Sequence, residues 1–296
     1  MNPFRNILIG MDLSSMDKQL IDYLSFFSGP SPRLHFVHVT HAMQLTSPGS
    51  HAPVQLMEDQ PENKRFLDAM RQEVSVILAS DQFRDEYHVL KGQTTSQLLQ
   101  YAETKKIDLT LIGKKENATG NSIASHRFLR GTTGSVLVVP EQKIAQIERI
   151  LIATDFSEYS ELTVKRALML ARQQPVMPEI HFVNIYDVPT DMAYRISRTE
   201  GQFAAIIREN VRSVVPDFLA KFDLSGIQHE FHLIENTRYN AAEHLIALCK
   251  SMEADLMIMG AKGHSVVSAL LLGSVAERVL RYNEDTPLLI MRHADQ

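Results

Sequence analysis

The sequence has little cysteine and no long apolar run, and each absence excludes a class of protein. Its 296 residues include one cysteine, Cys249, which excludes an intramolecular disulfide and fits a reducing compartment. Cys249 lies in an apolar run of helical period, which favours a small buried side chain over a reactive thiol. No stretch approaches the roughly 18 apolar residues of a membrane span, and the run at Ile7 is too short for a signal peptide. We therefore expect a soluble cytoplasmic protein without a membrane partner.

An excess of charge of one sign is also missing. The chain has 30 Lys and Arg against 35 Asp and Glu, a formal net charge of -5, so we expect no general attraction to nucleic acid. The sequence contains no G-x4-G-K-[ST] loop, no G-x-G-x-x-G and no G-x-S-x-G. No carboxylate pair or His-centred triad stands out as an acid and base. These absences favour binding over catalytic turnover.

What the chain does contain is an internal repeat. Segments of the two halves match in the same order and at a nearly constant offset: 4–14 with 147–157, 33–39 with 179–185, 107–113 with 254–260, 127–130 with 278–281, and 135–140 with 287–292. The length suits about two domains. The repeat therefore predicts a first domain over 1–142 and a second over 147–296, joined by a short polar linker.

Each half alternates short strand-like runs with longer stretches of helical period. Strands that are apolar on both faces, with helices between them, indicate a parallel sheet covered on both sides. We expect an α/β protein with two tandem open parallel five-stranded sheets. Turn-forming segments at 44–53 and 187–191 are expected to be mobile loops, followed by helices over 63–78 and 203–219.

A glycine-rich pattern follows the predicted fourth strand of the second half. It has the form G-x2-G-x9-G-S, with Gly260, Gly263, Gly273 and Ser274. Glycines admit close backbone approach and positive φ, and a helix N-terminus adds free N–H groups and the positive end of its dipole. Such a loop at the carboxyl end of a strand predicts a phosphate cradle, although the glycines alone are equally compatible with a turn and a helix cap.

This motif, continued by Gly273–Arg281, resembles the ATP-binding signature of the universal stress proteins. The segment Thr154–Glu158 is similar to the family as well, and the likeness extends over both halves. Tandem two-domain members are a common form of this family. The resemblance implies a Rossmann-like fold of the adenine-nucleotide-binding α-hydrolase-like type, with ATP as the ligand and Mg²⁺ beside the triphosphate.

The resemblance also implies roles for particular residues. Asp155 would face the adenine, and the backbone of Ile185 would bond the adenine. Ala153 and Thr154, which precede Asp155, are further candidate cofactor-binding residues. The ribose and phosphates would be held by Gly260, Gly263, Gly273, Ser274 and Val275, with Lys262 and His264 beside the phosphate tail. Asp155 is equally compatible with a turn or a helix N-cap, since Asp12 holds the same place in the first half.

The cradle is damaged in the first half. Gly113 remains, but Glu116 stands at the second glycine position and would repel a phosphate. Aligning Ser122 with Ser274 shortens the loop. We therefore expect no ATP binding of the family kind in this half. The basic residues Lys114, Lys115, His126 and Arg127 are expected to form a solvated surface rather than an anion site.

Three histidines of the first half have a spacing that suggests a metal site. Strand alternation, however, puts His35 and His41 on one face and His38 on the other. We therefore predict no metal site there. His181 mirrors His35, which indicates a structural position shared by the repeats.

Three functions are compatible with these patterns. The first is an ATP-binding universal stress protein that signals through nucleotide occupancy of its second domain. The second is an interaction or scaffold protein without a nucleotide role. The third is a slow ATPase or autokinase, with Ser274 and His264 beside the phosphates. The resemblance implies that the two halves pair through the predicted fifth strands, 135–139 and 287–291. A homodimer and an unidentified protein partner are further expectations.

Overall fold

The computed structural model describes residues 3–27, 32–40, 61–78, 84–114, 121–141, 146–188, 200–236, 240–263 and 272–293. The elements of the first half are β1 (Asn6–Met11), α1 (Ser15–Asp22), a 3-10 turn (Tyr23–Phe27), β2 (Arg33–Thr40), α2 (Pro61–Ile77), β3 (Arg84–Lys91), α3 (Thr94–Thr104), β4 (Leu109–Lys114), α4 (Asn121–Gly131) and β5 (Ser135–Pro140). Those of the second half are β6 (Arg149–Ala153), α5 (Glu158–Ala171), β7 (Glu179–Tyr186), α6 (Glu200–Leu219), β8 (His229–Glu235), α7 (Ala241–Ser251), β9 (Leu256–Gly260), α8 (Ser274–Tyr282) and β10 (Leu288–Met291).

The strands confirm the predicted α/β class. Each half has five parallel strands. Their order is β3-β2-β1-β4-β5 in the first half and β8-β7-β6-β9-β10 in the second, which is the same arrangement. The two sheets are nevertheless one: β5 and β10 pair antiparallel, with Val138 opposite Leu288, and give the order β3-β2-β1-β4-β5-β10-β9-β6-β7-β8. The prediction of two separate sheets was therefore incomplete, whereas the pairing of the halves through their fifth strands is present.

Helices cover both faces of this sheet. One apolar layer contains side chains of α1, α2, α5 and α6, such as Met70, Val164 and Phe218. The opposite layer contains side chains of α3, α4, α7 and α8, such as Phe128 and Val279. Both layers run across the two halves. Burial of the strands on both faces explains why their sequences are nearly continuous apolar runs.

The predicted helices lie close to their expected positions. Helix α2 (Pro61–Ile77) covers the predicted 63–78, and α6 (Glu200–Leu219) covers 203–219. The predicted mobile loop 44–53 lies outside the described residues, as does most of 187–191. Among the described residues, no helix combines the length and apolarity needed to cross a bilayer.

The first strand of each half ends in the same tight turn. Leu13 and Phe156 have φ angles of 59° and 64°, a left-handed conformation that is uncommon for residues other than glycine. Each turn is followed by a serine N-cap: the Ser14 hydroxyl accepts a bond from the Met16 N–H, and the Ser157 hydroxyl accepts one from the Ser160 N–H. These caps start the helices that flank the two crevices.

Charged side chains also join the two halves. The Lys114 ammonium, at the end of β4, donates to the carbonyl oxygens of Leu280 and Asn283 at 3.3 and 2.8 Å. These carbonyls lie at the C-terminus of α8, the negative end of its dipole. The guanidinium of Arg292 donates to the Leu129 carbonyl at 2.6 Å across the same junction. The halves are thus held together by polar contacts as well as by the shared sheet.

Lys114→Met should destabilise the chain, because it removes a partly buried cation from two carbonyl groups. Charge-assisted bonds of this kind contribute about 1.5–3 kcal/mol each at most. Lys250→Met is the matched control, since Lys250 is 78% exposed and 3.7 Å from Asp285, a pair expected to contribute less than about 1 kcal/mol. Urea denaturation measures both. Equal midpoints for the two variants would contradict this account of the junction.

Candidate functional site

The strand order places a crevice in each half. Strands β6 and β9 are parallel neighbours, with Ile150 paired to Leu256. The strand order reverses between them, because β7 and β8 lie beyond β6 on one side and β10 lies beyond β9 on the other. Helix α5, which follows β6, packs on one face, while α7 and α8 pack on the other. The helices thus diverge from the carboxyl ends of β6 and β9, where ligands bind in open α/β sheets.

The second-half crevice contains a cleft of about 270 Å³. All predicted site residues except His264 line this cleft: Ala153, Thr154, Asp155, Ile185, Gly260, Lys262, Gly263, Gly273, Ser274 and Val275. His264 lies outside the described residues. An apolar wall of the cleft, formed by Val183, Met259 and Leu245, was not predicted from the sequence. Val183 lies two residues before Ile185, so strand alternation is the signal that would have found it.

Asp155 has a structural task at the end of β6. Its Oδ1 accepts bonds from the backbone N–H and the hydroxyl of Ser157, at 3.1 and 2.5 Å. The turn interpretation of Asp155 is therefore correct. Its other oxygen, Oδ2, lies next to Gly263, so the carboxylate also borders the cleft. Both tasks are compatible with one side chain.

The neighbouring strand β7 extends beyond its last pairing with β6. That pairing joins Ala153 to Val183, and the Thr154 N–H donates to the Val183 carbonyl at 2.8 Å. Strand β7 continues to Tyr186, which still pairs with β8. The backbone of Ile185 thus faces the gap beyond the end of β6. Backbone groups in this position can bond the edge of a planar ligand.

The glycines serve close approach rather than unusual backbone angles. Among the described glycines, Gly92 and Gly226 have positive φ, and Gly260, Gly263 and Gly273 do not. A Cβ at Gly263 would collide with the Asp155 carboxylate, and one at Gly260 would lie 3.0 Å from the Lys262 carbonyl oxygen. Glycine at these two positions lets the loop after β9 pack against the end of β6.

The N-terminus of α8 opens into the cleft. Gly273 is its N-cap residue, with no side-chain cap, and Ser274 is its first helical residue. Ser274, Val275 and Ala276 line the cleft, so the first-turn N–H groups and the positive end of the dipole face it. This is the general geometry of an anion site.

Lys262 lines the cleft, and its ammonium lies 5.3 Å from the centre of the Tyr159 ring on α5. A cation over an aromatic face is held by the ring quadrupole. Its positive charge therefore contributes to the field of the cleft.

The first-half crevice holds a larger cleft, of about 680 Å³. Its lining includes Gly10, Asp12 and Gly113, but also the buried carboxyl of Asp17. Burial raises the pKa of Asp17 to about 7, against the opposing effect of the N–H bonds from Asp12 and Leu13. Ser160 takes the equivalent place in the second half. The two clefts thus differ in chemistry although their backbones correspond.

Other predicted first-half residues are dispersed. Glu116 and Lys115 lie outside the described residues, and Lys114 binds the C-terminus of α8 instead of forming a solvated surface. His38 bonds the Met11 carbonyl at 3.0 Å at the cleft, whereas His35 is buried beside Tyr101. The two rings thus lie apart, as alternation predicts.

The second half of the chain is similar in sequence to a known protein family. The model of the universal stress protein family matches residues 146–290. This chain belongs to the universal stress protein family through its second half. A curated universal stress protein of Methanocaldococcus jannaschii is 23% identical over 145 residues, which cover 49% of this chain and 82% of that protein.

Solved structures show the same fold over both halves. A universal stress protein from Archaeoglobus fulgidus is 17% identical, covers 98% of both chains and has a TM-score of 0.64. A protein of unknown function from Pseudomonas aeruginosa PAO1 is 14% identical, covers 98% of this chain and 93% of its own, and has a TM-score of 0.66. The tandem arrangement of the halves is therefore shared with other proteins.

The stability of Asp17→Asn relative to wild type should increase with pH. Folded Asp17 keeps its proton up to about pH 7, while an unfolded aspartate ionises near 3.8. The free energy of unfolding of wild type therefore falls as the pH rises between these two values. A rise of two pH units within this window lowers it by about 2–3 kcal/mol at most.

Thermal denaturation of both proteins at about pH 5 and about pH 8 measures this effect. The melting temperature of the variant should rise relative to that of wild type between the two conditions. A difference that stays constant with pH would show that Asp17 is already ionised in the folded protein.

Proposed function

We propose that this universal stress protein binds ATP, accompanied by Mg²⁺, in the cleft of its second half and not in that of its first. Nucleotide occupancy would bias the shape of the chain or its contact with a protein partner. The observation that carries the proposal is the N-terminus of α8, which has no side-chain cap and opens into the cleft. A triphosphate is the kind of ligand that such a helix end attracts.

The remaining walls fit the rest of a nucleotide. The apolar side chains of Val183, Met259 and Leu245 offer a surface for a flat base. The backbone of Ile185, beyond the end of β6, offers hydrogen-bonding groups at the edge of that surface. The phosphates would lie against Gly273 and Ser274, so the base and the phosphates would occupy opposite ends of the cleft.

The metal requirement fits this arrangement as well. Magnesium is usually held by substrate phosphates and one or two carboxylates, and it keeps several waters. Asp155 is the carboxylate among the described lining residues. One of its oxygens is engaged by Ser157, and the other borders Gly263. The metal would shield the triphosphate from this negative charge.

The described residues that line the first-half cleft are less suited to a nucleotide. Asp17 places a buried carboxyl where the second half has Ser160, and Met16 packs against Gly113 so closely that no Cβ would fit. Above about pH 7, where the Asp17 carboxyl ionises, its buried charge would repel a polyphosphate more strongly than it would in water. The larger volume of this cleft therefore does not make it a second ATP site.

Gly273→Asp should abolish nucleotide binding without unfolding the protein. Gly273 has φ -62° and ψ 148°, which any residue adopts, and a Cβ there would lie 3.4 Å from the Ala261 carbonyl oxygen. Aspartate is also a favoured N-cap. The substitution therefore puts a negative charge on the helix end and leaves the helix intact.

The measurement is to denature the purified chains and chromatograph the released small molecules. Wild type should release about one adenine nucleotide per chain, and Gly273→Asp should release none. The matched control is Asn121→Asp at the start of α4 in the first half, which should release as much as wild type.

Two outcomes would contradict the proposal. Nucleotide retained by Gly273→Asp would move the site away from α8. A wild type that releases nothing, and whose melting temperature does not rise with added ATP, would leave a scaffold protein whose cleft is structural.

A further inference from the structure

Each half carries a cluster of two histidines and a glutamate, far from the loops that line the clefts. The His181 cluster consists of His181 on β7 and Glu230 and His232 on β8; the His35 cluster consists of His35 on β2 and Glu86 and His88 on β3. The sheet register makes them equivalent, because His181 pairs with Glu230 and His35 pairs with Glu86. Neither follows from a sequence motif, since each is assembled across two strands.

We propose that the His181 cluster binds one divalent transition-metal ion, for which Zn²⁺ is the best match, and that the His35 cluster does not. The proposal concerns a site separate from the nucleotide cleft. His181 lies four residues before Ile185 on β7, which at about 3.3 Å per residue is some 13 Å away along the strand.

The three donor atoms of the His181 cluster have the spacing of metal ligands. His181 Nδ1 lies 3.1 Å from His232 Nε2 and 3.9 Å from Glu230 Oε2, and His232 Nε2 lies 3.6 Å from Glu230 Oε2. Atoms at these separations leave a point about 2.1 Å from each of them, which matches Zn–N and Zn–O distances. Two histidines and a glutamate form an established zinc ligand set.

A carboxylate behind His181 completes the usual surroundings of such a site. The other ring nitrogen of His181, Nε2, is buried and has no hydrogen-bond partner among the described residues. The Glu179 carboxylate lies 3.6 Å from it. Metal-bound histidines commonly donate their second N–H to a carboxylate, which orients the ring and raises its basicity. Glu179 is therefore a positioning residue for His181.

The His35 cluster has the same geometry, but its donor atoms are already engaged. The Lys105 ammonium lies 3.4 Å from Glu86 Oε2, and Arg33 Nε lies 3.6 Å from Glu86 Oε1. The Tyr101 hydroxyl lies 3.0 Å from His35 Nδ1. Two internal cations thus neutralise the carboxylate that a metal would need.

The second half replaces each of these groups. Glu179 begins β7 where Arg33 begins β2. Met252, the C-cap of α7, takes the place of Lys105, the C-cap of α3. Leu248 lies four positions before Met252 and takes the place of Tyr101, which lies four positions before Lys105. The cations and the hydroxyl are replaced by a carboxylate and apolar side chains, so a positive ion from solvent would be favoured here.

An ion can also reach the His181 cluster. The sheet ends at β8, and the side chain of Glu230 is 63% exposed, against 20% for His232 and 8% for His181. One ligand therefore faces water, which leaves a position for a bound water as the fourth ligand. This partly open arrangement is compatible with reversible metal exchange.

The test is a Zn²⁺ titration of the full-length chain, without an affinity tag, after removal of metals with a chelator and in the absence of nucleotide. Wild type should bind one Zn²⁺ per chain in competition with a chromophoric chelator, and Co²⁺ should give the absorption of a tetrahedral site. His232→Ala should weaken binding by more than about 100-fold, and Glu179→Gln by about 10-fold.

The matched control is His88→Ala, the equivalent position in the His35 cluster, which should bind Zn²⁺ as wild type does. Circular dichroism establishes that each variant is folded. Absence of Zn²⁺ binding by wild type would overturn the proposal. So would unchanged binding by folded His232→Ala, or a loss in His88→Ala as large as that in His232→Ala.

Discussion

The crevice between β6 and β9 is the constraint from which the candidate site follows. Helices α5 and α8 pack on opposite faces of the sheet and so diverge at the carboxyl ends of these two strands. The gap exposes the backbone of β7 beyond its pairing with Ala153 of β6, and it also exposes the first turn of α8. A ligand with a flat part and an anionic part fits such a gap, whatever the rest of the chain does.

Duplication gave the chain two such crevices, and their side chains now differ. Ser160 in one half corresponds to the buried Asp17 in the other, and Met252 corresponds to Lys105. Each substitution changes the charge of a site and leaves the strand register unchanged. The antiparallel pairing of β5 and β10, reinforced by Lys114 and Arg292, keeps both halves in one sheet. One half can therefore change its chemistry without loss of the shared frame.

Much of the fold could be predicted from the sequence, because strand and helix periods are local properties. The five strands of each half and the order of helices follow from apolar runs and helical period. The residues around the second cleft follow from the glycine spacing together with the resemblance to the universal stress proteins. Glycine at position 263 is compatible with positive φ or with close approach, and the structure shows the second, because the Asp155 carboxylate leaves no room for a Cβ. Sequence alone does not distinguish these two reasons.

Contacts between distant segments could not be predicted in this way. The spacing of His35 and His38 suggested a comparison within one strand, whereas the partners of His35 are Glu86 and Tyr101, on a different strand and a helix. Likewise Lys114 looked like a surface cation, but the junction of the halves brings it to the end of α8. Both cases depend on strand register and on packing between elements, which cannot be read from a single sequence.

The stoichiometry of ATP binding tests the central claim most directly. Isothermal titration of the nucleotide-free wild-type chain with ATP and Mg²⁺ measures the number of sites in a protein whose two halves share one fold. We expect about one site per chain, because the α8 N-terminus supports binding in one half and the buried carboxyl of Asp17 disfavours it in the other. Two sites per chain, or none, would contradict this expectation.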